Sequence, residues 1–285
     1  MTLLEKRIKG LTNDLSEAVS KLSDEVMPKN VHRLRTTIRR IESLVSYAHP
    51  CLGKKLERSL ENLTELRKRA GKVRDIDVQT KLLDQLANGS TASDRKILAE
   101  LLEKKRERQA RRLVSSLGKL ADAKFFSRME RVAEKAGTGA SGPDRPLAPL
   151  EEARLQLARL ADDFASRQPL KPSRLHETRI RLKTIRYLAE LAEESPERET
   201  FIDELKVVQD AVGEWHDWEE LTKLAEKRFS ERVNCALLRE VRALFAASHA
   251  SAISAVNKLF SSGVVTAARK PPRAAQSVRS LARHA

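Results

Sequence analysis

An all-α fold is predicted by three observations. Apolar residues recur at three- and four-residue spacing almost throughout, and runs of alternating β-branched and aromatic residues are missing. Pro28, Pro50, Pro172 and Pro196 stand between the periodic stretches rather than inside them. The first periodic stretch runs over 3–26 and the second over 29–48, after Pro28. The third, 53–87, opens beyond Pro50, and the fourth, 93–135, begins at Ser93-Asp94, a capping pair. Helices over 147–167 and 173–194 follow, the latter with Ser173 as its cap, and Ser195-Pro196 reads as a cap with proline in the first helical position before 197–228. A last helix spans 231–260.

The stretch from Gly137 to Pro149 holds too many glycines and prolines for a helix and reads as a linker. It divides the chain near its midpoint with about four helical segments on either side, so the expected architecture is a helical bundle over 1–136, a linker over 137–149 and a second bundle over 150–262. After Glu240 there is no acidic residue, and 263–285 is expected to be a loosely held basic tail.

The chain has 285 residues, with 55 Lys and Arg against 40 Asp and Glu, a formal charge of +15 that points to a polyanionic partner. The two cysteines, Cys51 and Cys235, have no ligand-spaced neighbours, which argues against a disulfide scaffold or a zinc cluster and for a reducing compartment. The first ten residues carry Glu5, Lys6, Arg7 and Lys9, and no apolar run reaches membrane-spanning length. A soluble cytoplasmic protein is expected, with no membrane partner and no cofactor.

The two halves align without gaps between VHRLRTTIRRIESL from Val31 and LHETRIRLKTIRYL from Leu175. His32 meets His176, Arg35 meets Arg179, and Arg39 meets Lys183. A second pair, AGKVRDIDV from Ala70 and VGEWHDWEE from Val212, sets Gly71 on Gly213, Arg74 on His216 and Asp75 on Asp217. Offsets of 144 and 142 residues, in the same order, argue for an internal duplication.

On a helix, His32, Arg35 and Arg39 fall at about 0°, 300° and 340°, and His176, Arg179, Lys183 and Arg186 at about 0°, 300°, 340° and 280°. Each helix thus carries a narrow cationic stripe without an acidic member, beside the apolar sets Leu34, Ile38, Ile41, Val45 and Leu175, Leu182, Ile185. Like charges at this spacing repel by a few tenths of a kcal/mol per pair, on the order of 0.2–0.5. An anion would compensate them, and Arg can hold two phosphoryl oxygens at once while Lys supplies a point charge. Histidine adds charge where a bound anion favours imidazolium. Asp75 and Asp217 would repel phosphate and are read as orienting the Arg and His side chains. Gly71 and Gly213 suggest close helix contact, and His216 stays open between a phosphate contact and a packing role beside Trp215 and Trp218.

These residues resemble the CHAD family, the conserved histidine α-helical domain, over roughly residues 5–260. His32, Arg35, Arg39 and Arg40 match its first motif, and Arg74, Asp75 and Asp77 its second. His176, Arg179, Lys183, Arg186 and Tyr187 match the third, and Gln209, Asp210, Gly213, His216 and Asp217 the fourth. Thr184 departs from the pattern where a further basic residue is frequent. The resemblance implies two four-helix bundles about a pseudo-two-fold axis and a basic central channel that binds inorganic polyphosphate without catalysis, with polyphosphate granules as one destination. Tyr187 would support the site from behind.

An enzyme is disfavoured on the residues themselves. A divalent cation near His176 or His216-Asp217 would sit close to Arg179, Lys183 and Arg186, so no metal site is expected. Nucleic acid is the competing partner, expected to bind more weakly because aromatics are 4% of the chain and, Tyr187 apart, none interleaves the stripes. The segment Lys104–Arg112 reads as a solvated basic surface.

Overall fold

The structure is a computed structural model that describes residues 1–48, 50–86, 91–118, 123–139, 147–165, 172–232, 234–263 and 265. Among the described residues there are nine helices and no strand. They are α1 (Leu3–Asp24), α2 (Pro28–Ala48), α3 (Lys54–Asp84), α4 (Ala92–Leu117), α5 (Ala123–Gly139), α6 (Pro149–Ala165), α7 (Pro172–Ala189), α8 (Pro196–Arg228) and α9 (Ala236–Phe260).

Helix starts follow capping chemistry in part. Thr2 accepts a hydrogen bond from the Glu5 amide at 3.2 Å, and Ser195 accepts one from the Arg198 amide at 3.2 Å with Pro196 opening the helix, as expected. Two expected caps lie inside their helices instead. Helix α7 already begins at Pro172, so Ser173 falls in its first turn, because proline serves the first helical position as well as a polar cap would. Helix α4 begins at Ala92, one residue before Ser93. Asp94 there forms an ion pair with Arg232 and accepts from the Cys235 thiol at 3.4 Å.

The expected helix over 93–135 is two helices, α4 ending at Leu117 with Gly118 at its C-cap and α5 starting at Ala123. The expected linker also begins late. Gly137 and Gly139 belong to α5, and Gly137 is buried against α1, where an added Cβ would lie 2.7 Å from Thr2 Oγ1 and 3.1 Å from Glu5 Cβ. Glycine is there for close approach of two helices rather than for a turn. Linker residues 140–146 and tail residues 266–285 lie outside the described residues.

The chain forms two compact units. One comprises Met1–Arg145 and His216–Ala247, the other Pro146–Trp215 and Ser248–Ala285. This partition differs from the expected boundary, which assigned all of 150–262 to the second bundle. The reason is apolar burial. The end of α8 and the start of α9 set Trp218, Leu221, Ala225, Phe229, Leu237, Leu238 and Val241 into one buried cluster with Ile76, Leu82 and Leu83 of α3 and Leu98 and Leu102 of α4.

Within the first unit α1, α2, α3 and α4 pack in sequence, and α5 lies against α1, α2 and α3. Glu42 of α2 accepts from Thr64 at 2.7 Å and pairs with Arg67 at 2.7 Å, which sets the register of α2 on α3. In the second unit α6 packs on α7. Arg181 of α7 reaches Asp163 of α6 at 2.7 Å, the Phe164 and Phe260 rings meet edge-on at 4.8 Å between centroids, and Gln209 of α8 donates to the Leu182 carbonyl of α7 at 2.7 Å. Both cysteines are free, Cys51 exposed and Cys235 buried.

Candidate functional site

The apolar flank of each stripe is core. Leu34, Ile38, Ile41 and Val45 of α2 are buried, as are Leu175, Leu182 and Ile185 of α7. Anchoring that face leaves the stripe at the edge of the buried region: Arg35 and Arg39 are half-buried, while His32 and Arg40 are exposed. Arg40 stands about 80° from His32 around the helix, so it lies off the stripe proper.

Arg35 lies over Gly71 of α3, where an added Cβ would stand 3.6 Å from its Nε. The same antiparallel register, in which Glu42 meets Thr64, brings Arg74 level with His32. Among the described residues Arg35 and Arg74 have no carboxylate partner, and the Arg35 Nε–H is buried without a hydrogen-bond acceptor. The surrounding arginines are compensated. Arg33 pairs with Glu17 at 2.6 Å and Asp14 at 3.1 Å, Arg69 with Glu65 at 3.1 Å, and Arg106 with Asp77 at 2.6 Å. Hydrogen bonds from Arg33 and Lys21 hold the Glu17 carboxyl down to about 2.

Asp77 takes a structural part that the sequence did not suggest. Its carboxylate is 5% exposed, and the Arg106 it holds also donates to the Val26 carbonyl at 2.8 Å, joining α3, α4 and the turn after α1. Arg106 comes from the basic run of α4, 29 residues from Asp77, and no local spacing connects the two. Asp75 is half-buried one residue after Arg74.

In the second unit Arg179 is 8% exposed, and His176 and Lys183 are half-buried on the same face of α7. Arg186 is more committed. It pairs with Glu190 one turn on at 3.3 Å and lies over the buried Tyr187 ring at 5.3 Å. Thr184 is exposed and donates back to the Ile180 carbonyl at 3.3 Å, so the position that departs from the family pattern adds no charge.

His216 groups with the first unit and His176 with the second. Its Nδ1 is 3.5 Å from a Glu219 oxygen, an acidic neighbour that disfavours phosphate contact at this position. His216, Glu219 and Glu220 have the types and proximity of metal ligands. Lys223 nevertheless bridges both carboxylates, at 3.1 Å and 3.0 Å. Burial alone would lower the Lys223 ammonium, but its bonds to Glu220 and Glu219 outweigh that and raise it, so an internal cation already serves the cluster. Asp217 is half-buried beside His216. Among the described residues nothing lies within 4 Å of a Cβ added at Gly213, and a Cβ added at Gly71 would meet only the Arg35 side chain of the same unit, at 3.6 Å and 4.0 Å, so neither glycine supports the expected close helix contact at an axis between the halves.

A helical protein with cationic stripes mounted on packed helices is the class that fold and site define. The chain matches the CHAD domain over residues 6–226 and belongs to that family. No curated protein matches it. Among solved structures it is similar to the CHAD domain from the plant Ricinus communis, at 17% identity and a TM-score of 0.62, over 93% of this chain and 91% of that one. It is also similar to PptA from Streptomyces chartreusis, at 17% identity and a TM-score of 0.57, over 93% and 97% of the two chains. Among the described residues no helix is long and apolar enough to cross a membrane.

Proposed function

We propose that the protein binds inorganic polyphosphate without catalysis, and that the stripe of His32, Arg35, Arg39 and Arg74 in the first unit and the stripe of His176, Arg179 and Lys183 in the second both contact phosphate. The observation that carries this reading is that Arg35 and Arg74, side by side on α2 and α3, have no carboxylate partner among the described residues although arginines beside them do. Arg33, Arg69 and Arg106 are neutralised by acidic partners, whereas Arg35 and Arg74 are not. Membership of the CHAD family, which is related to polyphosphate binding, supports the same ligand. A repeating phosphate without bases suits side chains that offer charge and N–H donors but little stacking surface.

The test is a competition titration of polyphosphate, duplex DNA and RNA at matched phosphate concentration and ionic strength. Polyphosphate is expected to win. Replacing Arg35, Arg39, Arg179 and Lys183 with Ala should remove most of its affinity while the helical content is unchanged, and no orthophosphate should be released. Preference for either nucleic acid, or a quadruple variant that binds as the native protein does, refutes the proposal.

A further inference from the structure

The first unit carries another cationic array, well away from the stripe of α2 and α3. Lys124, Arg128, Arg131 and Lys135 of α5 recur at i, i+4, i+7 and i+11, which places them within about 60° of one another along roughly 16 Å of helix. They line an open groove of about 950 Å³ whose other wall is the start of α3, with Lys54 and Lys55. All are exposed except the half-buried Arg128. Glu134 of α5 also lines the groove and lies 3.8 Å from Lys9 of α1. Among the described residues Lys54, Lys55, Arg128, Arg131 and Lys135 have no ion pair, unlike Arg33 or Arg67 of the same unit.

We infer that this groove binds a segment of inorganic polyphosphate as a second foothold for a long chain, an inference that rests on the function proposed above. Four further observations favour a phosphate chain. Among the described residues six cations line the groove against one carboxylate, and that carboxylate is shared with Lys9. Among the described residues no aromatic ring lines it, so none of them stacks a base. Gly53 caps α3 without a side-chain acceptor; the Leu56 and Glu57 amides donate to its carbonyl, so only the Lys54 and Lys55 amides remain for an anion at this end of the helix dipole, which Glu57 partly offsets. Lastly, Gly71, which Arg35 covers, is 17 residues beyond Lys54, about 25 Å along α3. A short oligomer would occupy one place or the other, whereas a long chain can hold both and gain from the high effective concentration of its second segment.

The test titrates the full chain with long-chain polyphosphate and with tripolyphosphate. A Lys124→Glu, Arg128→Glu, Arg131→Glu variant, shown by circular dichroism to be folded, should lose at least tenfold in affinity for the long chain and keep tripolyphosphate binding at the stripes. The milder Arg128→Gln, Arg131→Gln variant should lose affinity in the same direction. Long-chain polyphosphate should also slow amide exchange at 54–57 and 124–135, and should still do so in an Arg35→Ala, Arg39→Ala protein. If the native protein binds polyphosphate but the groove variants bind it equally tightly, the groove inference fails and the proposed function stands. If the native protein binds no polyphosphate, both fail. Duplex DNA or RNA protecting 54–57 and 124–135 better than polyphosphate at matched phosphate concentration overturns the ligand assignment.

Discussion

Arg33 and Arg35 are two residues apart on α2, carry the same charge, and should behave differently when replaced by Ala. Arg33 is spoken for by Glu17 and Asp14. Arg35 has no acidic partner among the described residues, and its guanidinium rests on Gly71. Should Arg35 hold phosphate, its removal deletes a charge-assisted contact of about 1.5–3 kcal/mol, roughly a ten- to hundredfold loss of affinity. The dependence of log affinity on log salt should flatten by about 0.7–0.9, the share of one neutralised phosphate. Folding stability should move by less than about 1 kcal/mol, because the lost stem packing is offset by deleting a buried donor without an acceptor. Arg33→Ala loses an exposed ion pair, a small matter for stability, and leaves affinity unchanged. Calorimetric titration with polyphosphate at two salt concentrations, alongside thermal melts, reads all of these quantities. Equal affinity losses in the two variants would show that diffuse positive charge, and not the particular placement of Arg35, attracts the ligand.

Other expectations follow from single contacts. The Glu17 carboxyl should titrate near 2 by carbon NMR and move up toward the ordinary carboxylate range in Arg33→Ala; since its folded value is depressed, the stability it contributes is present above about pH 4.5 and lost as pH falls toward 2. Asp77→Ala should cost about 2–3 kcal/mol, discounted from a fully buried pair because Arg106 is partly solvated, and lower the melting temperature by roughly 5–10 °C in calorimetry. Gly213→Ala should raise stability by up to about 1 kcal/mol in denaturant titrations, since its added methyl meets nothing, whereas Gly71→Leu should displace Arg35 and weaken polyphosphate binding without unfolding the chain. A fragment of residues 1–145 should fail to melt cooperatively and should bind a hydrophobic dye. It lacks Trp218, Leu221, Phe229, Leu237 and Val241, each contributing about 1.5–3 kcal/mol by burial, a sum comparable with the stability of a whole domain.

Periodicity is enough to read the all-helical class and most of its helices, though not the break between α4 and α5, because a 3.6-residue repeat of buried side chains is written locally. It was enough also for the buried flanks of both stripes, where Ile38 and Leu182 lie in the core as their spacing requires. The i, i+4 pair of Arg186 and Glu190 is legible by the same logic, as is the α5 array of Lys124, Arg128, Arg131 and Lys135. What no spacing could show is which charges are cancelled by partners distant in the chain. Arg106 finds Asp77 across 29 residues and Arg33 finds Glu17 across 16, while Arg35 finds neither. The fate of α8 was hidden for a related reason. Its apolar residues continue one helical pattern from Phe201 to Phe229, and nothing in that pattern says that Trp215 and Trp218 belong to different units. A local pattern determines that a face will be buried, but the face it is buried against is chosen by long-range packing, and only the tertiary structure decided it.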